Sequence, residues 1–183
     1  MTLPQLLLAL ADAALIRRFL DGDEQAFRAL YRRHTPRLRM IVARLLGSRR
    51  DEVDDVVQET WLAGCRGIHR FNGNAQFSSW LTTIGIRAAY SRFSSNGGAA
   101  ESFDDSVLVA GESVDVATVV DLERALERLP DHQRVVVVLH DVEGFTHDEI
   151  AQQLGIASGT SKATLSRARH TLRQFLTDGV PHA

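Results

Sequence analysis

Residues 145–173 read FTHDEIAQQLGIASGTSKATLSRARHTLR, and this stretch predicts two short helices about a tight turn. Thr146 is placed to cap the first helix, Glu149 completes a capping box, and Ile150, Ala151 and Leu154 fall on its buried side. Gly155 ends that helix and Ile156 plugs the turn. The second helix, starting near Gly159 and Thr160, sets Leu165, Ala168, Leu172 and Leu176 on one inward stripe. Its opposite side carries Thr160, Ser166, Arg167 and His170, flanked by Lys162, Arg169 and Arg173, and no acidic residue lies between Gly159 and Arg173. A basic, small-polar outer face suits entry into a major groove, with the N-terminal half on base edges and the arginines on phosphates. An ordinary helical hairpin with a solvated charged face has the same pattern, so this stretch alone leaves both readings open.

Composition narrows the class. The 183-residue chain, 44% hydrophobic and 24% charged, fits a soluble globular protein of one domain or two small ones. Its formal net charge of -2 gives it no long-range pull on nucleic acid, so a local patch or a basic partner must supply any attraction to DNA. Cys65 is the only cysteine, which excludes an intramolecular disulfide and a CxxC metal knuckle and fits a reduced cytoplasm. The apolar run Leu6–Leu10 lacks a basic leading segment, is interrupted by Asp12, and is too short to span a bilayer. It is expected to be a loose helical extension over residues 1–12, without membrane insertion.

Outward from the C-terminal hairpin the pattern is helical throughout. A short helix is expected from Ala13 to Leu20, and a longer one, capped by Asp23, through Phe27, Leu30, Tyr31, Leu38, Ile41, Val42 and Leu45 to Gly47, kinked at Pro36. From Arg50 to Ile68, Val53, Val56, Val57, Thr60 and Gly64 share one face with Trp61 at its edge. The other face shows Asp55, Gln58, Glu59, Leu62 and Arg66, bordered by Asp54 and Cys65. A leucine within an acidic face is what a docking surface for a basic partner helix requires, although solvated leucines also occur. The stretch RFNGNAQ, 70–76, is a loop. The next helix, Phe77 to Ser94, is expected to bury Phe77, Trp80, Leu81, Ile84 and Ala88. Thr82, Thr83, Ile86, Ala89, Tyr90 and Phe93 then lie on its far side, beside Arg87 and Arg92. Those aromatics either stack on unpaired bases or cover another helix of the same domain.

Residues 94–117 hold acids and small residues with no Lys or Arg, which predicts a flexible tether dividing the chain. A helix from Val119 to Leu129, with Val119, Leu122, Ala125, Leu126 and Leu129 inward, is closed by Pro130. Asp131 is placed to cap another helix reaching Val142. The run Val135–Leu139 has the β-branched content of a buried strand, but no second strand exists to pair with it, so helix is expected.

Three segments together, DGDEQAFRALYRRHTPRL (21–38), DEVDDVVQETWLAGCRGIHRF (51–71) and ALERLPDHQRVVVVL through EGFTHDEIAQQLGIASGTSKATLSRAR (125–169), resemble bacterial RNA polymerase sigma factors of the extracytoplasmic-function (ECF) type. The resemblance implies an all-α fold of two small helical domains, sigma-two over 13–94 and sigma-four over 119–178, joined by an acidic linker at 95–118. It further implies a dissociable promoter-specificity subunit without enzymatic activity or cofactor. Its partners would be core RNA polymerase, through the beta-prime clamp coiled coil and the beta flap, promoter DNA, and an anti-sigma factor. The family's DDxVQExxL face falls on Asp54, Asp55, Gln58, Glu59 and Leu62. Minus-ten recognition and melting fall on Phe71, Asn72, Asn74, Trp80, Thr83, Arg87 and Tyr90, and minus-thirty-five contacts on Thr160, Lys162, Ala163, Thr164, Ser166 and Arg167.

Two departures carry expectations of their own. Where the family commonly writes GTVKSR this chain has residues 159–164 as GTSKAT, which implies a changed upstream element. Where it commonly has Ala-Arg-Asn this chain has Gly85-Ile86-Arg87, and Ser94-Ser95 replaces a frequent basic pair, which implies fewer phosphate contacts near the minus-ten element. Two rivals remain. One is a free-standing helix-turn-helix regulator. The other is a metal-dependent enzyme using Asp51, Glu52, Asp54, Asp55 and Glu59, or His140, Asp141, His147 and Asp148.

Overall fold

The computed structural model describes residues 3–95 and 119–178, and among them every regular element is a helix. Beyond Ser95, the expected tether lies outside the described residues. Helices run α1 Leu3–Leu20, α2 Glu24–Leu46, α3 Val53–Gly67, α4 Phe77–Ser95, α5 Val119–Arg128, α6 Asp131–Val137, α7 His147–Leu154 and α8 Ser158–Asp178. They cluster into two compact units. The first takes the chain up to Val42 and Asp51–Ala88; the second takes Ala43–Arg50 and the chain from Ala89 onward.

In the first unit, α1 continues without a break through residues 12 and 13. Asp12 explains why: it is buried, with Arg33 Nη1 2.6 Å and His34 Nε2 3.0 Å from its two carboxylate oxygens. The N-terminal segment is thereby fastened to α2, and Leu7, Leu10 and Leu20 are left exposed on its outer side. Asp23 starts α2 by accepting from Gln25 N at 2.9 Å, and Pro36 sits within the helix without ending it. Between α2, α3 and α4 an aromatic cluster fills the core: Trp61 meets Phe27 edge-on at 5.7 Å, Tyr31 at 5.1 Å and Phe77 at 6.3 Å between ring centroids.

The face expected for α4 is partly reversed. Phe77 and Leu81 are buried as expected, but so are Thr82, Ile86, Ala89 and Phe93, while Trp80, Ile84 and Ala88 are half-buried. Apolar residues surround this helix, so periodicity could not choose a face. Gly85 shows what decided it: a Cβ there would stand 2.9 Å from Leu38 Cδ1 and 3.4 Å from Thr60 Oγ1, so the backbone of α4 itself approaches α2 and α3.

In the second unit the run Val135–Leu139 is buried throughout and helical. Burial on all sides overrides its β propensity. From Val138 to Val142 the helix widens into a π turn, with Glu143 N donating to Val138 O at 3.0 Å. Pro130, not Asp131, occupies the cap position of α6. Asp131 instead pairs with Arg134, a buried cation that also donates to the carbonyls of Leu129 at 2.8 Å and Leu45 at 3.0 Å. Leu122, expected inward, is 41% exposed, whereas Ala125, Leu126 and Leu129 are buried.

Candidate docking ridge and nucleic-acid interface

The ridge is built by α3. Val53, Val56, Val57, Thr60, Trp61 and Gly64 are buried at helical spacing, which forces Asp54, Asp55, Gln58, Glu59 and Leu62 outward. Thr60 satisfies its buried hydroxyl by donating to Val56 O at 2.7 Å. Trp61 Nε1 donates to Thr35 Oγ1 at 3.0 Å, which fixes the rotation of α3 against α2. Leu62 is left 50% exposed amid four acidic or amide side chains, and Asp54 is paired with Arg39 of α2. An apolar anchor within a carboxylate rim suits a basic helical partner, because the rim steers and the anchor is desolvated.

The loop at 71–76 turns at Gly73, φ +76°, with Asn74 N donating to Asn72 Oδ1 at 3.1 Å. Asn72 and Asn74 are exposed. Phe71 is half-buried, 5.5 Å from the Trp80 ring and 5.6 Å from the Phe77 ring, so loop and helix share one aromatic wall. Trp80 is not a core residue as expected; its half-exposed ring lies along Gly64 and Gly67 of α3, where a Cβ would meet it at 3.9 and 3.6 Å. Further along α4, Thr83 donates to Ser79 O at 3.1 Å, Arg87 is exposed, and Tyr90 is half-buried, its hydroxyl pKa raised by burial. Tyr90 meets Phe93 edge-on at 6.1 Å.

The hairpin forms as its sequence dictates. Thr146 and Glu149 make the reciprocal capping box, which holds the Glu149 carboxyl below its ordinary pKa, and Gly155 closes α7 at φ +70°. In α8, Leu165, Ala168 and Leu172 are buried, while Lys162 and His170 are exposed and Thr160, Ala163, Ser166 and Arg167 are half-buried. Thr164 does not belong with that outward set. It is 1% exposed, and together with buried Ser161 it lies on the inward side next to Leu165 and Ala168. Its hydroxyl is buried without a hydrogen-bond partner. Its helical phase, one position before Leu165 and four before Ala168, turns it toward the core.

His140, Asp141 and His147, grouped in the sequence only as ligands of a rival metal site, are joined in the structure to Ser161 and Arg169 of α8. Asp141 accepts from Arg169 at 3.0 and 2.6 Å and lies 2.7 Å from His140 Nδ1. Burial would raise the Asp141 pKa, but the bonds from Arg169 and His140 outweigh it and hold the carboxyl low. His147 stacks on His140 at 4.6 Å and reaches Ser161 Oγ at 3.0 Å. No periodicity signals the bonds to Ser161 and Arg169, which join residues 14 and 28 positions apart in the chain. Among the described residues no group of three or more His, Cys, Asp or Glu is placed to hold a metal ion, and no helix is long and apolar enough to cross a membrane.

Comparison with known proteins gives a consistent result. Residues 30–98 match the model of sigma-70 region 2, and residues 120–172 that of sigma-70 region 4. The chain is 35% identical over 167 residues to the ECF RNA polymerase sigma factor SigM of Mycobacterium tuberculosis, covering 91% of this chain and 85% of that one. It is 27% identical over 180 residues to the ECF RNA polymerase sigma-E factor of Haemophilus influenzae, covering 89% and 94%. Among solved structures it is similar to the sigma factor RpoE of Bartonella quintana, solved with the anti-sigma factor NepR, at TM-score 0.60 and 26% identity over 84% of this chain and 98% of that one. It is also similar to CnrH, solved with the cytosolic domain of CnrY, at TM-score 0.59 and 26% identity over 93% and 99%.

Proposed function

The chain belongs to the ECF RNA polymerase sigma factors of the sigma-70 family, and we propose that its grip on core polymerase is centred on Leu62. As a sigma factor it binds core RNA polymerase, directs transcription initiation at promoters, and is regulated by an anti-sigma factor. It performs no chemistry of its own and acts where the polymerase does, in the cytoplasm.

The observation that carries the reading is the half-exposed Leu62 among Asp54, Asp55, Gln58 and Glu59, on a helix whose opposite face is fully buried. The partner for this ridge is the basic beta-prime clamp coiled coil; the sigma-four domain meets the beta flap. Sigma-two spans 13–94 and sigma-four 119–178, separated by 95–118. In sigma-two, Phe71, Asn72, Asn74, Trp80, Thr83, Arg87 and Tyr90 form the minus-ten surface, where the aromatic wall offsets the few kcal/mol needed to extrude a base. In sigma-four, Thr160, Lys162, Ala163, Ser166 and Arg167 read the minus-thirty-five element. Each domain alone is a weak reader; held on polymerase, the second contact becomes effectively intramolecular.

The experiment pairs a gel shift with run-off transcription on genomic fragments, each with and without purified core enzyme. The reading expects specific retention and defined transcripts only with core present. Specific retention by the isolated chain would favour a free-standing regulator instead.

A further inference from the structure

A sequence of polar contacts begins and ends on α8. Buried Ser161, in its first turn, holds Oγ 3.0 Å from His147 Nδ1. His147, the first residue of α7, stacks on His140 of the π turn at 4.6 Å between centroids and 26° between planes. His140 Nδ1 lies 2.7 Å from Asp141 Oδ1, and Asp141 accepts both bonds of Arg169, back on α8. Ser161 and Arg169 are roughly 12 Å apart along the helix axis. The helix is clasped at two points by one set of side chains, and Lys162 projects beside the upper one.

We propose that His147 is a positioning residue for the promoter-reading turn of α8, and that engagement of the upstream element takes up a proton at its ring. The inference rests on the reading of α8 as the upstream-element reader. The groups facing His147 are His140 from the π turn, Lys162 and Arg169 from α8, and its neighbour Asp148. Burial, then His140, Lys162 and Arg169, depress the imidazole pKa, with Asp148 opposing. In the free chain these groups favour the neutral ring, whose Nδ1 bonds Ser161 Oγ as donor or acceptor according to its tautomer. A DNA phosphate against Lys162 supplies the missing negative charge and favours the imidazolium. The protonated ring then donates from Nδ1 to Ser161 Oγ, which can accept as readily as it donates, so the clasp survives the change. A group whose pKa rises on binding makes the complex tighter as pH falls.

The test uses holoenzyme assembled from the full chain and core polymerase, at constant ionic strength. The probes are a promoter fragment selected by run-off transcription and the same fragment with its upstream element scrambled. For the wild type, preference for the intact element should strengthen several-fold from pH 8 to pH 6. In His147→Gln, which keeps a polar reach to Ser161 but cannot titrate, the preference should be independent of pH. Equal pH slopes in the two proteins would overturn the inference while leaving the reading of α8 intact; no preference at any pH would instead remove that reading. Calorimetry of the wild-type holoenzyme in two buffers of different ionisation enthalpy provides a variant-free check. Extra proton uptake on the intact fragment supports the proposal, and identical uptake on both fragments contradicts it.

Discussion

Trp61 Nε1 donates to Thr35 Oγ1 at 3.0 Å, so the residue before Leu62 is fastened to α2 by a directional bond as well as by packing. The indole is 5% exposed and sits in an aromatic cluster, which leaves it no alternative rotation. Leu62 consequently stands outward on a rigid helix. Thr35→Val keeps the shape but strands a buried N–H, and should cost about 1–3 kcal/mol in urea unfolding. Trp61→Ala should cost about 3–5 kcal/mol.

At Gly85 helix propensity alone would favour an alanine by about 1 kcal/mol. The close approach of Leu38 opposes that. Leu38 is itself 3% exposed and has little room to yield, and overpacking costs typically about 1–3 kcal/mol. Gly85→Ala should therefore lower the unfolding free energy by about 1 kcal/mol net, measured by urea titration.

Thr164 and Arg167 should separate cleanly. Thr164→Val removes a buried hydroxyl without a partner and should stabilise the chain by about 1 kcal/mol, with promoter choice unchanged. Arg167→Ala should weaken use of the minus-thirty-five element by about 1–3 kcal/mol in holoenzyme competition assays, with little change in melting temperature. The reverse pattern would mean that α8 is rotated relative to the arrangement described.

Asp12 sets an acid limit. Burial would raise its pKa, but hydrogen bonds from His34 and Arg33 outweigh this, and the folded carboxyl titrates below its ordinary 3.8. A depressed carboxylate adds stability above its unfolded pKa and loses it as pH falls through the folded one. The stability difference between wild type and Asp12→Asn should be constant above about pH 5 and shrink below about pH 4. A difference independent of pH down to pH 2.5 would show that the carboxylate charge contributes nothing.

The elements legible in the sequence were those with one apolar face. The buried set of α3, and with it the Leu62 ridge, followed from spacing alone, as did the capping box and the Gly155 stop of α7. Where a helix is apolar all round, as α4 is, the inward side was settled by the close approach of Gly85 to Leu38, a long-range contact that periodicity does not encode. The buried Thr164, the pairing of Asp12 with Arg33 and His34, and the bonds that tie His147 to Ser161 and Asp141 to Arg169 were hidden for the same reason. Each depends on which helices meet.

The most direct measurement of the central claim is equilibrium assembly with sigma-free core polymerase, read by co-migration on a sizing column for the wild type and Leu62→Asp. Leu62 makes half its surface available to solvent, so the substitution should leave the far-ultraviolet spectrum and unfolding midpoint nearly unchanged. The account predicts a stable complex for the wild type and loss of binding by at least about a hundredfold for Leu62→Asp, as for a hot spot of roughly 3 kcal/mol. Equal affinity of a folded Leu62→Asp chain for core enzyme would contradict it.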